Sequence, residues 1–141
     1  MDIQDIAIWL LAFALIIHTI EEGWLPEYQK SQSTGHVNWR LLIFNRPLLL
    51  DNGPIFIFAI TLAAIGWRLP LLAGLLPAIG LTHPLLDHVG LSWKIRQLRP
   101  GSWTGLFLLF PLSIWVYGIS SAQTLFQSYE LLMSVFIGLA I

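Results

Sequence analysis

The chain has 141 residues, of which 56% are hydrophobic and 11% charged, with mean hydropathy +0.73. Soluble domains are about 45–50% apolar and about 25% charged, and one this small has too much surface to cover with so few charges, so the composition describes an integral membrane protein. A net charge of −1 excludes a globally basic nucleic-acid binder, and the absence of cysteine excludes disulfides, thiolate metal sites and a cysteine nucleophile.

A helix rises about 1.5 Å per residue, so crossing about 30 Å of hydrocarbon takes roughly 20 residues. The first apolar run, residues 6–17, is too short alone. Extended to Pro26 it reaches full length and takes in His18, Glu21 and Glu22. Asp2 and Asp5 at its start argue against a signal peptide, as does the lack of a small-residue cleavage site. Residues 27–45 read as a polar loop and a short interfacial segment, with His36 a loop residue. A second span covers about 47–67, with Pro47 suited to its first turn. Asp51, Asn52, Gly53 and Pro54 are expected to kink or unwind its start, with Asp51 and Asn52 as candidate caps. After a turn at Arg68-Leu69-Pro70, a third span covers about 71–91 and carries Pro77, His83, Pro84, Asp87 and His88. A basic loop with Trp93, Lys94, Arg96 and Arg99 ends in Pro100-Gly101, and Ser102 is placed to cap the next helix. The fourth span covers about 103–119 and the fifth about 124–141, interrupted by Glu130. The expected fold is all-α: a polytopic transmembrane helical bundle of about five spans in a single domain, residues 1–141.

Lysine and arginine placement sets orientation. With the N-terminus outside, the inner side holds Lys30, Arg40, Arg46, Lys94, Arg96 and Arg99, and the outer side only Arg68. The N-terminus is therefore expected outside and the C-terminus in the cytoplasm. That topology brings polar residues to one depth below the cytoplasmic surface. His18, Glu21 and Glu22 fall roughly 6–12 Å deep, Asp51 and Asn52 roughly 8–9 Å, and His83, Asp87 and His88 roughly 7–15 Å. Glu130 lies elsewhere, and no lysine or arginine is expected in the layer. On ideal helices His18, Glu21 and Glu22 share an arc and His83 lies over Asp87, with His88 turned about 100° away. A charge at mid-membrane costs about 2.5–3.5 kcal/mol, so these carboxylates must be protonated, paired with imidazolium or neutralised by a cation. A divalent metal, zinc or iron, satisfies carboxylates and imidazoles together.

The string His18-Thr19-Ile20-Glu21-Glu22 resembles the signature of the HXXEE family of small bacterial membrane proteins. Downstream, a histidine (His83 or His88), Arg96, Arg99-Pro100-Gly101 and Thr104 are similar to that family's Arg-Tyr-x-Pro-Gly-like string, with Leu98 in the aromatic place. The resemblance covers roughly residues 15–115. It implies a bacterial inner (cytoplasmic) membrane and a site at His18, Glu21 and Glu22, and it implies no particular activity. A fainter likeness, of chemistry alone, is to the intramembrane CAAX-type prenyl-protein proteases. Those pair a Glu-Glu motif with His-x-x-x-Asn/Asp, as His83 to Asp87 here, but the arginine after their Glu pair is missing and this chain is much shorter.

The resulting expectation is a membrane-embedded, metal-dependent enzyme acting on a lipid-like substrate. His18, Glu21, His83 and His88 are the candidate metal ligands, with Glu22 or Asp87 as general base in a hydrolase. The same residue types suit two metals in an oxidoreductase. The alternative is non-catalytic: an accessory subunit of a membrane complex, a homo-oligomer, or a carrier of a pigment, lipid or ion. The blander readings are a wet helix end for the glutamates and a hydrogen-bonded pair for His83 and Asp87. Lys94, Arg96 and Arg99 read first as orientation residues and second as a grip for lipid phosphate. Trp24, Trp39, Trp67, Trp93 and Trp103 read as interfacial belt residues.

Overall fold

A computed structural model describes residues 2–33 and 46–140; the expected interfacial segment, with His36, Trp39 and Arg40, lies outside them. The described residues form five helices and no strand: α1 (Ile3–Ser33), α2 (Arg46–Ile65), α3 (Pro70–Ile95), α4 (Ser102–Ala122) and α5 (Ser128–Ala140). The first four contain stretches long and apolar enough to cross a membrane. At 13 residues, α5 rises only about 20 Å and is shorter than a crossing. It begins at Ser128, and Glu130 does not interrupt it: the carboxylate accepts the Gln127 backbone N–H at 2.9 Å, closing the helix start as a capping box does.

Two prolines, Pro26 expected near a boundary and Pro54 expected to kink or unwind the start of its span, are absorbed within helices instead. Pro26 lies inside α1, which continues to Ser33 through residues that look like loop in the sequence. Pro54 lies inside α2, which is helical from Arg46 through the Asp51–Pro54 stretch. Each proline forfeits one backbone hydrogen bond, a loss that the flanking helical turns tolerate. Between α2 and α3 the turn is built as its sequence suggests. Gly66 takes φ +55°, and Leu69 is extended ahead of Pro70, which opens α3.

α1 presents Ala7, Ile8, Leu11, Ala14, Leu15 and then His18 to the interior, the three-and-four spacing of one helix face. Ala59, Leu62 and Ala63 of α2 pack on it, and Ala73, Leu75 and Leu76 of α3 join Leu109 and Val116 of α4 in the same core. Outward residues are apolar too: Ile57 is 69% and Phe107 71% exposed, as expected of faces turned to lipid. α3 packs against α4 and α5 through small residues, the usual device where no water drives helices together. A Cβ at Gly80 would lie 2.0 Å from Ser113 Oγ and 3.2 Å from Leu109 Cγ. Gly80→Ala is therefore expected to cost about 1–3 kcal/mol, read as a lower unfolding temperature in detergent, whereas Gly118→Ala, facing open space within a helix, leaves it unchanged or slightly raised. Tyr117 ties three helices together, donating to the Gly74 carbonyl at 2.9 Å and meeting Ser134 Oγ at 2.9 Å.

Two segments depart from α-helical winding. Residues Pro84–Leu91 of α3 and Gly105–Leu109 of α4 are π-helical, with hydrogen bonds reaching five residues instead of four. Each adjoins a proline, Pro84 or Pro111, whose missing N–H breaks the α pattern. Such wide turns concentrate at functional sites. Both of these lie beside the polar layer.

Candidate metal centre

Four side chains from two helices converge where the π-helical segment of α3 faces α1. His18, Glu22, His83 and His88 each offer one ligand atom, and those atoms lie within 4.8 Å of one another. His18 and His88 are each 1% exposed. The three imidazoles meet nearly edge to face, with centroids 4.8–5.2 Å apart. The Nε2 atoms of His18 and His88 are 3.2 Å apart. Two nitrogens bound to one tetrahedral zinc at about 2.0–2.1 Å would be about 3.3 Å apart, so the pair already has a shared-ligand spacing. Glu22 Oε2 stands 3.8 Å from His18 Nε2 and 3.6 Å from His83 Nε2. His83 Nε2 and His88 Nδ1 are buried with no hydrogen-bond partner among the described residues.

The motif on α1 divides its labour by helical angle. His18 and Glu22, four apart, point the same way into the cluster. Glu21 is turned aside to α4, where its carboxylate accepts the Thr104 backbone N–H at 3.0 Å and the Thr104 hydroxyl at 2.5 Å. It thus caps the start of α4 from another helix, with its charge at the positive end of that helix. Thr19 donates its hydroxyl to the Leu15 carbonyl, and Ile20 faces outward. Ser102, expected as the cap, instead donates its hydroxyl to the Arg99 carbonyl, and Gly101 occupies the capping position.

Thr104 also fixes His18. An ionised carboxylate only accepts, so the Thr104 hydroxyl spends its proton on Glu21 and accepts from His18 Nδ1, 3.0 Å away. His18 then carries its proton on Nδ1 and turns a bare Nε2 lone pair toward the cluster. A carboxylate–hydroxyl–imidazole relay of this kind orients a metal-ligating histidine from behind.

On α3 the wide turns change which side chains face inward. With hydrogen bonds reaching five residues, His88 rather than Asp87 comes into register with His83. Asp87 is rotated toward the α3–α4 turn, where its Oδ1 accepts a hydrogen bond from Arg99 Nη1. The other terminal nitrogen of Arg99 lies 3.9 Å from Glu22 Oε1. A cation therefore does enter the layer, contrary to the sequence expectation. The turn doubles back through left-handed residues, Arg96 at φ 56° and Gly101 at φ 84°, and the long arginine reaches in. Asn52 is buried, with its amide over Gly23 of α1, whereas Asp51 is exposed. Neither belongs to the cluster.

Of the six sequence-derived site residues, four converge and two, Glu21 and Asp87, stand one step back, holding Thr104 and Arg99. Those two partners were missed as site residues. The signal for them was the Arg99-Pro100-Gly101 and Thr104 string, whose charged residue read first as a topology marker. With the carboxylates ionised and the imidazoles neutral, Glu21, Glu22 and Asp87 against Arg99 leave two negative charges, the complement of a divalent cation.

A membrane-type helical bundle with a buried histidine–glutamate cluster able to hold a metal ion is the class that fold and site define. Residues 9–116 match the family described as "Protein of unknown function with HXXEE motif", and the chain belongs to that family. The match takes in every residue of the cluster together with Arg99 and Thr104, and it ends before α5. No curated protein and no solved structure matches the chain.

Proposed function

We propose that this protein is a membrane-embedded, divalent-metal-dependent hydrolase whose substrate arrives from the lipid phase. The observation that supports this most directly is the convergence of three imidazoles and one carboxylate in a buried site. His18, His83 and His88 would hold the ion, most simply zinc, through ring nitrogens, a three-histidine set with room for a fourth position. One carboxylate among the converging ligands favours a single ion over a carboxylate-rich pair of metals. The bound ion would supply Lewis acidity that makes water acidic near neutral pH. Glu22, beside the histidine nitrogens and restrained by Arg99, is placed to take a proton as general base. Asp87 is a positioning residue, because its carboxylate is committed to Arg99. The clustering of Lys94, Arg96 and Arg99 at the end of the bundle nearest the site favours placing that end in the cytoplasm, with the N-terminus outside.

Elemental analysis of protein purified without chelators is expected to find one ion per chain. Protein that stays metal-free after incubation with zinc, cobalt or iron(II) salts would overturn the proposal. Thr104→Val, which removes the relay behind His18 and keeps the shape, is expected to weaken zinc binding about 10–100-fold, while Thr104→Ser retains it. Competition with a chromophoric chelator measures both.

A further inference from the structure

The cluster is not sealed on the side of α2. A cavity of about 240 Å³ lies between α1, α2 and α3, with Leu15, Ile55, Phe58 and Ile79 as walls and His18, Glu22 and His83 among its lining. α2 packs mainly on α1 and only lightly on α3, which leaves this space between them. Ile55 and Phe58 are 38% and 37% exposed, so the cavity opens sideways through the lipid-facing wall of the bundle. Its polar lining is two of the three clustered imidazoles, the one clustered carboxylate and Thr19, whose hydroxyl is already donated to the Leu15 carbonyl.

We propose that this cavity is the binding site for a single alkyl chain, which enters laterally between α2 and α3 and brings the polar group at its end to Glu22 and His83. The inference rests on the metal-centre reading for what happens at that end, and it adds the substrate class: a long-chain amphiphile. Apolar walls give no partners to a sugar, nucleotide or peptide backbone, whose unpaired polar groups would cost several kcal/mol each. Methylenes lose nothing there and gain the contacts that an empty apolar cavity forfeits. At about 30 Å³ per water-sized group, the volume takes roughly eight methylenes, enough for half of a common membrane chain with the remainder in the bilayer.

The test uses the full chain in nanodiscs with two photoreactive probes: palmitic acid carrying a mid-chain diazirine, and phosphatidylcholine carrying the same chain. Labelled residues are mapped by mass spectrometry, and metal content is measured on the same samples. Labelling is expected at Ile55, Phe58 and Ile79 at least fivefold above Ile57, which faces bulk lipid from the same helix. Labelling with the free acid would assign the site to fatty acids, and labelling with the phospholipid alone to an esterified chain. Ile55→Trp, which fills the cavity from an edge position, is expected to lower labelling of Ile79 at least fivefold without changing metal content. Phe58→Ala, which enlarges the cavity, should keep or raise it. Labelling as strong at Ile57 as inside the cavity, or indifferent to Ile55→Trp, overturns the proposal. A metal-free wild-type protein that still shows the labelling pattern would sink the hydrolase reading and leave the chain site standing.

Discussion

His88→Ala is expected to lower zinc affinity more than about 100-fold, whereas Asp87→Asn costs no more than about tenfold. The contrast tests the winding of α3. On a regular α-helix, residues three and four apart share a face, so His83 would pair with Asp87 and His88 would point away. The π-helical winding from Pro84 onward brings His88 to 3.2 Å from His18 Nε2 and sends Asp87 to Arg99. Removing a direct ligand costs more than the roughly 10–100-fold that an outer partner does. Asp87→Asn keeps an oxygen that still accepts from Arg99. The measurement is zinc competition on each purified variant; loss of binding in Asp87→Asn with retention in His88→Ala would mean that α3 is α-helical through the site.

Gly101→Ala is expected to be the most damaging single-methyl substitution in the α3–α4 turn, for two independent reasons. At φ 84° the backbone lies in the left-handed region, where a Cβ costs about 1–2 kcal/mol. That Cβ would also sit 2.9 Å from Cε1 of both His18 and His88 and 3.2 Å from Glu22 Cβ. Overpacking of this kind adds about 1–3 kcal/mol, and the atoms forced to move are the rings whose nitrogens converge. Together these predict about 2–5 kcal/mol of lost stability, seen in detergent denaturation, along with reduced metal content. The same substitution at Gly118 supplies the baseline.

How far the sequence carried can be traced residue by residue. The number of helices and the polar layer followed from apolar run lengths and from a uniform rise per residue, quantities that local geometry scarcely alters. His18 and Glu22 were legible as a pair because α1 is regular where they sit. His88 was legible as a ligand by its depth but not by its direction, which depends on a change of winding that helical-wheel spacing cannot encode; Pro84 marked the place without giving the outcome. Arg99 was misjudged for a different reason. Charge counting treats an arginine near a boundary as a point on one side of the membrane, and it ignores a side chain long enough to reach inward from a turn that doubles back. Glu21 and Thr104 show a third limit. Their bond joins residues 83 apart in the chain, and adjacency of α1 and α4 is a property of packing, not of either helix.

The same separation bears on how the protein is made. Helices enter a membrane in the order of synthesis, so Glu21 and Glu22 are inserted long before Arg99 and Thr104 exist. For that interval the acids of the first helix lack those two partners, and a charge at mid-membrane costs about 2.5–3.5 kcal/mol. The turn after α3 and the first residues of α4 supply both missing partners within six positions, Arg99 to Thr104. A nascent chain that stops short of them has all three histidines of the cluster but nothing to orient His18 or to restrain Glu22. Completion of the site therefore reports that the fourth helix has arrived.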